Sequence, residues 1–414
     1  MRVTGITVSQ LADPSIPSHY EMVRKIEKLL LSWSPAVFLG YNSIQFDEQL
    51  LRQAFYQTLH PPYLTNTNGN SRSDVMRMAQ AATIFEPGAI SAPTEPNGRT
   101  VFALDRLAPA NGFAHKHAHD AMADVEATIF LCRLLAERAP EIWSAFMRFS
   151  QKAAVTDYIS NERVFCLADV YFGRPYSWLV TSIGSNSQNN SEYYVYDLGV
   201  DPSSLSSLPV DQLVARLSKS PKPLRRLRNN AAPMLMAAEN APATASGKVL
   251  ESSELERRAD ILHSNSGLRN RLIATFETTK EEREASPHVE DQLYDGFFNE
   301  SDEDLLNRFH DVRWEERVPL IDQFADERLK LLGQRLLCCE RPDLLEKSVR
   351  QIYAKNMAER VLEDEGTVPW LTLPKAVREI DDLLRSANGP EAAFLREHRA
   401  YLLERLETAA ALIN

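Results

Sequence analysis

No uninterrupted apolar run of roughly 18 residues, the length a membrane-spanning helix needs, occurs in this chain, so a membrane span is not expected. The segment Met1–Thr7 carries one positive charge with no long apolar stretch behind it. It does not read as a secretory signal, and a cytoplasmic location is expected. Cysteine is scarce: Cys132, Cys166, Cys338 and Cys339 include no C-x-x-C spacing, and the adjacent pair cannot form an ordinary disulfide with itself. They read as buried thiols in a reducing compartment. Positive charge is also in deficit, with 46 Lys and Arg against 57 Asp and Glu and a net charge of −11. That argues against a surface that coats nucleic acid broadly. A DNA-processing enzyme with a local basic groove and carboxylates around its metals remains compatible with it. No internal repeat of fixed period is present.

At 414 residues the chain is longer than one typical domain. Residues 1–148 alternate strand-like runs with amphipathic helices, as an α/β unit does. Val37-Phe38-Leu39 before Gly40 reads as a buried strand. Asp47-Glu48 then open a helix with Leu50, Leu51, Ala54 and Phe55 on one side, and a later helix after His119 carries Val125, Ile129, Cys132 and Leu135 at helical spacing. Polar, turn-rich loops are expected at 65–72 and 87–98. Residues 149–249 change to short β-type runs (Val164-Phe165-Cys166, Trp178-Leu179-Val180, Tyr193-Tyr194-Val195-Tyr196), which suggest a small antiparallel sheet or barrel. Residues 185–191 read as a solvated turn, and the Ala-rich stretch 237–248 as a linker. From 250 to 414 the chain reads as helical, with Leu329, Leu331, Leu332 and Leu336 among alternating charges.

Two segments carry chemistry. In Ala118-His119-Asp120-Ala121-Met122-Ala123-Asp124-Val125, His119 sits at a helix start and Asp124 follows five residues on, just over one turn later, so both can face one cleft. Phosphodiester hydrolysis needs a base for water and divalent ions for the charge of the transition state, and His and Asp are the side chains for those tasks. Plainer readings stand beside this one. The alternating His115, His117 and His119 also suit a solvated loop, and His119-Asp120 also suits a zinc- or manganese-dependent His-Asp phosphohydrolase acting on nucleotides. In Leu39-Gly40-Tyr41-Asn42 through Phe46-Asp47-Glu48, the acidic pair at a helix start is equally a cap or a partner of the helix dipole.

Together the two segments resemble the second and third motifs of the DEDD exonucleases, His-bearing subtype. Residues 118–125, Gly40-Tyr41-Asn42 with Phe46-Asp47, Asp74-Val75-Met76-Arg77 and Asp291-Gln292-Leu293-Tyr294-Asp295-Gly296-Phe297-Phe298 make the chain similar to the exodeoxyribonuclease I family. The resemblance implies a ribonuclease-H-like α/β nuclease domain (1–148), a barrel-like antiparallel β domain (149–249) and an all-α domain (250–414). It implies a 3′→5′ exonuclease on single-stranded DNA that acts in repair and recombination and releases 5′-mononucleotides with two Mg2+ ions, Mn2+ being an alternative. By position, His119 is the expected base and Asp47 and Asp124 the metal carboxylates. Arg52, Tyr63, Arg72, Arg77 and Lys152 are candidates for the DNA path, with Arg for phosphates and Tyr for stacking. The run Lys222, Arg225, Arg226, Arg228 is, with Lys152, a candidate extension of the DNA groove, although a solvated charged face is the plainer reading of the run. A monomer is expected, with a single-stranded-DNA-binding protein as a candidate partner.

The chain departs from the family pattern in three places. No Asp-x-Glu pair, which the family takes from its first strand, occurs before Asp47, and Val3–Thr7 matches a position well inside the family's nuclease domain. The first strands are therefore expected to be missing from these residues, and with them catalytic competence. Ala103 stands where the family commonly has an Arg, and Cys338-Cys339-Glu340 replace an Arg-rich turn. A catalytically dead single-strand-binding protein derived from the nuclease is the alternative.

Overall fold

The computed structural model describes residues 6–114, 120–243, 245–247, 249–279, 286–363, 366 and 368–413. Two units are resolved in the chain, Leu30–Leu51 with Tyr63–Glu284, and Met1–Leu29 with Arg52–Pro62 and Ala285–Asn414; the divisions fall inside the His19–Trp33 and Asp47–Gln57 helices.

In the first unit, strand β1 (Val37–Gly40) pairs in parallel with β2 (Ser71–Asp74), from Val37 opposite Ser71 to Gly40 opposite Asp74. The expected strand at Val37–Leu39 is present but not buried. Val37 and Leu39 are 38% and 37% exposed, because among the described residues β1 pairs only with β2 and nothing covers the face these two share. The expected loop at 65–72 is also corrected, since Ser71 and Arg72 belong to β2. That strand is polar, yet all four residues are buried. Three of the four side chains find partners inside the fold: Ser71 Oγ lies 3.0 Å from Ser150 Oγ, Arg72 meets Glu48 and Asp74 accepts from Asn42 N, whereas Ser73 Oγ is buried with no hydrogen-bond partner among the described residues.

The helices Val75–Phe85, Ala121–Arg138 and Pro140–Phe149 share one core, with Met78, Ala79, Ala82, Ala127, Leu131 and Leu135 inside. The Ala121–Arg138 helix therefore turns a different face inward than its large side chains suggest. Ala127, Leu131, Leu134 and Leu135 are buried, whereas Val125 and Ile129 are exposed.

The expected antiparallel sheet is present and has five strands, in the order β6-β5-β4-β3-β7: β3 (Phe165–Tyr171), β4 (Arg174–Ser185), β5 (Glu192–Asp197), β6 (Leu224–Arg228) and β7 (Met234–Ala237). β3 and β4 are joined by Phe172-Gly173, with φ of 52° and 72°, the paired left-handed conformation that closes a two-residue hairpin. A Cβ on Gly173 would lie 2.4 Å from the Thr100 carbonyl oxygen, so only glycine fits there. One core packs Phe165, Val180, Val195 and Leu235 against Phe149, Val155 and Ile159. A second packs Tyr194, Tyr196 and Leu179 against Leu213, Leu255 and Leu272. The expected linker at 237–248 is fixed to the sheet in its described part: Ala245 is buried, Ser246 Oγ donates to Asp197 Oδ1 at 2.6 Å, and Leu179 N donates to Ser246 Oγ at 2.9 Å.

The second unit is helical, as expected after 250. Leu306, Phe309, Ile321, Phe324, Leu332 and Leu336 form a core with Tyr20, Tyr56 and Leu59, while Leu331 faces solvent. At its centre the rings of His60 and His310 stack with centroids 3.7 Å apart. The helices Leu373–Leu384 and Gly389–Ile413 pack through Ile380, Leu395 and Leu402. Among the described residues no helix is long and apolar enough to cross a membrane.

Candidate active site

The segment that follows β1 is held by Asp74, the last residue of β2. Its Oδ1 accepts from Asn42 N at 2.9 Å and its Oδ2 from Ile44 N at 3.3 Å, while Oδ1 also caps the Val75–Phe85 helix through Met76 N at 3.0 Å. One carboxylate thus ties the 40–44 turn to the sheet and starts a helix. Asp74 is 1% exposed, and burial raises its pKa even though the backbone donors of Asn42 and Ile44 pull the other way. Asp74 was legible only as part of a motif; its place before an apolar helical run was the available signal for a cap. Gly40 allows the turn itself, since a Cβ there would come within 2.5 Å of Ser43 Cβ.

Asp47 opens its helix at the surface. Its pKa is raised, first by desolvation and also by the charge of Glu48, against the lowering effect of a backbone hydrogen bond. Glu48 beside it is buried and has a structural task. Its Oε2 accepts from Arg72 Nη1 at 3.2 Å and from Thr65 Oγ1 at 2.7 Å, and Arg72 Nη2 donates to the Asn230 carbonyl at 3.1 Å.

Asp124 lies half-buried in the first turn of the Ala121–Arg138 helix, which Asp120 caps through Met122 N at 3.1 Å and Ala123 N at 3.2 Å. His119, the expected base, lies outside the described residues, as do His115 and His117. Among the described residues no cluster of three or more His, Cys, Asp or Glu side chains is arranged to hold a metal ion. The described donors alone therefore do not make the magnesium site that the sequence leads one to expect, and no catalytic step through a metal follows from them.

Of the residues expected along a DNA path, Arg52 and Arg72 are buried at 7% and 6% exposure, and Tyr63 is half-buried. Arg77 is half-buried, with Nη1 3.5 Å from Asp169 Oδ1 and Nε donating to the Ala232 carbonyl at 3.4 Å. Lys152 is exposed, its Nζ donating to Asn190 Oδ1 at 3.0 Å. Ala103 lines a groove of ≈ 440 Å³ with Tyr41, Asn42, Gln80, Phe102 and Phe172, and there Tyr41 OH donates to the Phe102 carbonyl.

In the helical unit, residues 291–294 end the short 3-10 helix Val289–Tyr294 and 295–298 continue as irregular chain that leaves Phe297 85% exposed. Arg328 props it by donating to the Gln292 carbonyl at 2.7 Å and to the Gly296 carbonyl at 3.2 Å. At the Cys338-Cys339 departure, Cys339 is exposed with Sγ 3.3 Å from Tyr353 OH, and Arg341 is engaged by Asp343 at 2.7 Å and Glu315 at 3.3 Å.

Residues 287–405 match the exonuclease I C-terminal domain family. Over 312 residues the chain is 30% identical to exodeoxyribonuclease I of Escherichia coli K12, a match covering 71% of this chain and 65% of that protein. The exonuclease I of Methylocaldum szegediense has the same fold, with a TM-score of 0.80 at 24% identity over 100% of this chain and 88% of that one. So does E. coli exonuclease I in complex with a dA16 oligonucleotide, with a TM-score of 0.80 at 24% identity over 98% of this chain and 87% of that one. By sequence and by fold, the chain is similar to exodeoxyribonuclease I, and it spans just under two thirds of the length of the E. coli relative.

Proposed function

We propose that this chain acts on single-stranded DNA as a 3′→5′ exonuclease of repair and recombination, and that its 414 residues by themselves bind DNA better than they cleave it. The domain reading goes with it: a ribonuclease-H-like part at 1–148, a β part at 149–249 and a helical part at 250–414. A bound divalent ion would supply charge neutralisation and an activated water in such a reaction. This chain offers Asp47 and Asp124 toward it, and His119 as base. The observation that carries the second half of the proposal is the absence, among the described residues, of any metal-ready acid cluster, together with an open β1 edge whose Val37 and Leu39 face solvent. A site short of ligands loses several kcal/mol of transition-state stabilisation, about three decades in rate.

The test uses purified chain on 3′-labelled single-stranded DNA with Mg2+, alongside the E. coli relative. The expected outcome is tight binding in EDTA, digestion about a thousandfold slower than the relative, and loss of that residue of activity in Asp124→Asn. Digestion at the relative's rate would refute the impairment, and a chain that neither binds nor cleaves would refute the substrate assignment.

A further inference from the structure

Strand β1 has an edge that nothing guards. Among the described residues it pairs with β2 alone. Ser71 N donates to the Ala36 carbonyl at 2.9 Å, so by the alternation of an extended chain Val37 and Leu39 turn their N–H and C=O groups away from β2, where no described residue meets them. Sheets protect such edges with lysine, proline or a bulge inside the strand. Val-Phe-Leu-Gly has none of these and carries no charge. Strand β2 is the opposite case, since all four of its residues are buried and its outer edge is closed to another chain. This small sheet therefore offers one edge for pairing.

Apolar side chains of the same unit are uncovered as well. Val37 and Leu39 share the exposed face of β1, and Trp33, just ahead of the strand, is 54% exposed. Met122, Val125 and Ile129 form one exposed stripe of the Ala121–Arg138 helix at three- and four-residue spacing. Six large apolar side chains at this level of exposure amount to several hundred Å², the scale at which apolar surface marks an interface. That is a large part of the about 800 Å² that each partner of a stable complex buries.

We propose that the open edge of β1 pairs with the same edge of a second copy of this chain, giving a two-fold dimer with one continuous sheet in the order β2-β1-β1-β2, in place of the monomer that the family resemblance implies. A two-fold axis makes the pairing antiparallel and centres it on Phe38. Val37 of one copy then stands opposite Leu39 of the other, and each such pair exchanges both of its outward main-chain hydrogen bonds while its aliphatic side chains pack. Pairing occupies the open edge of each copy, and the closed outer edge of β2 stops growth at two. No charge on the strand opposes contact, although each copy carries a net −11, so screening by salt strengthens the association. The dimer goes beyond the single-strand reading above and does not rest on it.

Sedimentation velocity of the full chain over about 0.1–100 μM, at low and high salt, tests the dimer. The expected result is a shift with concentration from the mass of one chain to twice that mass, tighter at high salt. Val37→Lys with Leu39→Lys sets like charges opposite each other on side chains that are already part-exposed, and is expected to weaken association about a hundredfold with an unchanged circular dichroism spectrum. Amide hydrogen exchange of the parent chain gives a readout that needs no variant: the Val37 and Leu39 amides are expected to be protected at high protein concentration and to exchange freely on dilution. A parent chain that stays monomeric throughout overturns the proposal, and so does a dimer that the paired lysines leave intact. Assembly continuing past two copies would show that the pairing does not close, and overturns it too. Protection of the same two amides in a monomer would place another segment of the chain itself on the edge and sink the dimer.

Discussion

Asp74 is the residue on which the candidate site's backbone most depends, because one buried carboxylate accepts from the 40–44 turn and from the helix that follows it. Its replacement by alanine removes a helix cap, worth about 1 kcal/mol, and strands buried N–H groups at about 1–3 kcal/mol each. Asp74→Ala is therefore expected to cost about 2–4 kcal/mol, read as a lower urea midpoint with unchanged slope; a midpoint shift under ~0.5 kcal/mol would show that the turn holds without it. Glu48 belongs to the same account. Sequence placed Asp47 and Glu48 together at a helix start, and they have separate fates: Asp47 at the surface, and Glu48 buried against Arg72 and Thr65. Helical spacing distinguishes such neighbours only when the direction of the core is known.

Element by element, type was more legible than face. The Asp47–Gln57 helix begins at the expected residue, and the β-type runs all lie in strands of one sheet. The Ala121–Arg138 helix shows the limit. It is apolar on more than one side, and its large residues Val125 and Ile129 suggested the inward stripe. The core instead takes Ala127, which is fully buried in the cluster that also holds Ala79 and Ala82. Ala127→Leu is accordingly expected to cost about 1–3 kcal/mol by overpacking. Val125→Lys should change stability by no more than ~0.5 kcal/mol. Thermal melts of both variants check the pair, and the reverse ranking would mean that the inward face is misassigned. Strand β2 was missed for a different reason. Ser-Arg-Ser-Asp carries no hydrophobic alternation, and its burial rests on polar partners that sequence does not announce.

At the scale of the whole molecule, the helical unit carries a buried histidine pair that makes it sensitive to acid. In the helical unit, desolvation, the mutual repulsion of the two rings and the nearby Arg24 and Arg317 hold the His60 pKa down to about 2. Desolvation first, then Arg317 and Arg24, hold His310 at about 4, although its Nε2 lies 2.9 Å from the Leu59 carbonyl. Glu27 is 3.5 Å from His60 Nε2, Asp311 favours the charged form of His310, and Tyr20 OH lies 3.0 Å from His310 Nδ1. Both rings are neutral when folded, while an unfolded histidine binds its proton near pH 6.5. Stability from this pair is thus complete above about pH 6.5 and is lost as pH falls toward 4, at a rate approaching ~1.4 kcal/mol per pH unit for each ring. Calorimetry at pH 7 and pH 5 should show one transition moving down with acid, and His60→Gln with His310→Gln should flatten that dependence. An unshifted profile in the parent chain would show that the pair is not a source of acid lability.

What the sequence by itself made legible is the resemblance to the exodeoxyribonuclease I family, carried by the strings around His119 and Asp124, around Asp47 and at 291–298, and the order of element types. These are local strings, and local strings survive without knowledge of their neighbours. Tertiary structure alone decided that a polar strand is buried, that Glu48 and Asp74 serve the scaffold, and that an exposed run of arginines lines a groove with aromatic rings. Each of those outcomes rests on partners far apart in the chain, as in the hydrogen bond from Arg72 to Asn230 across 158 residues. A partner waiting inside favours burial of a polar side chain, because an unpaired buried group costs about 1–3 kcal/mol.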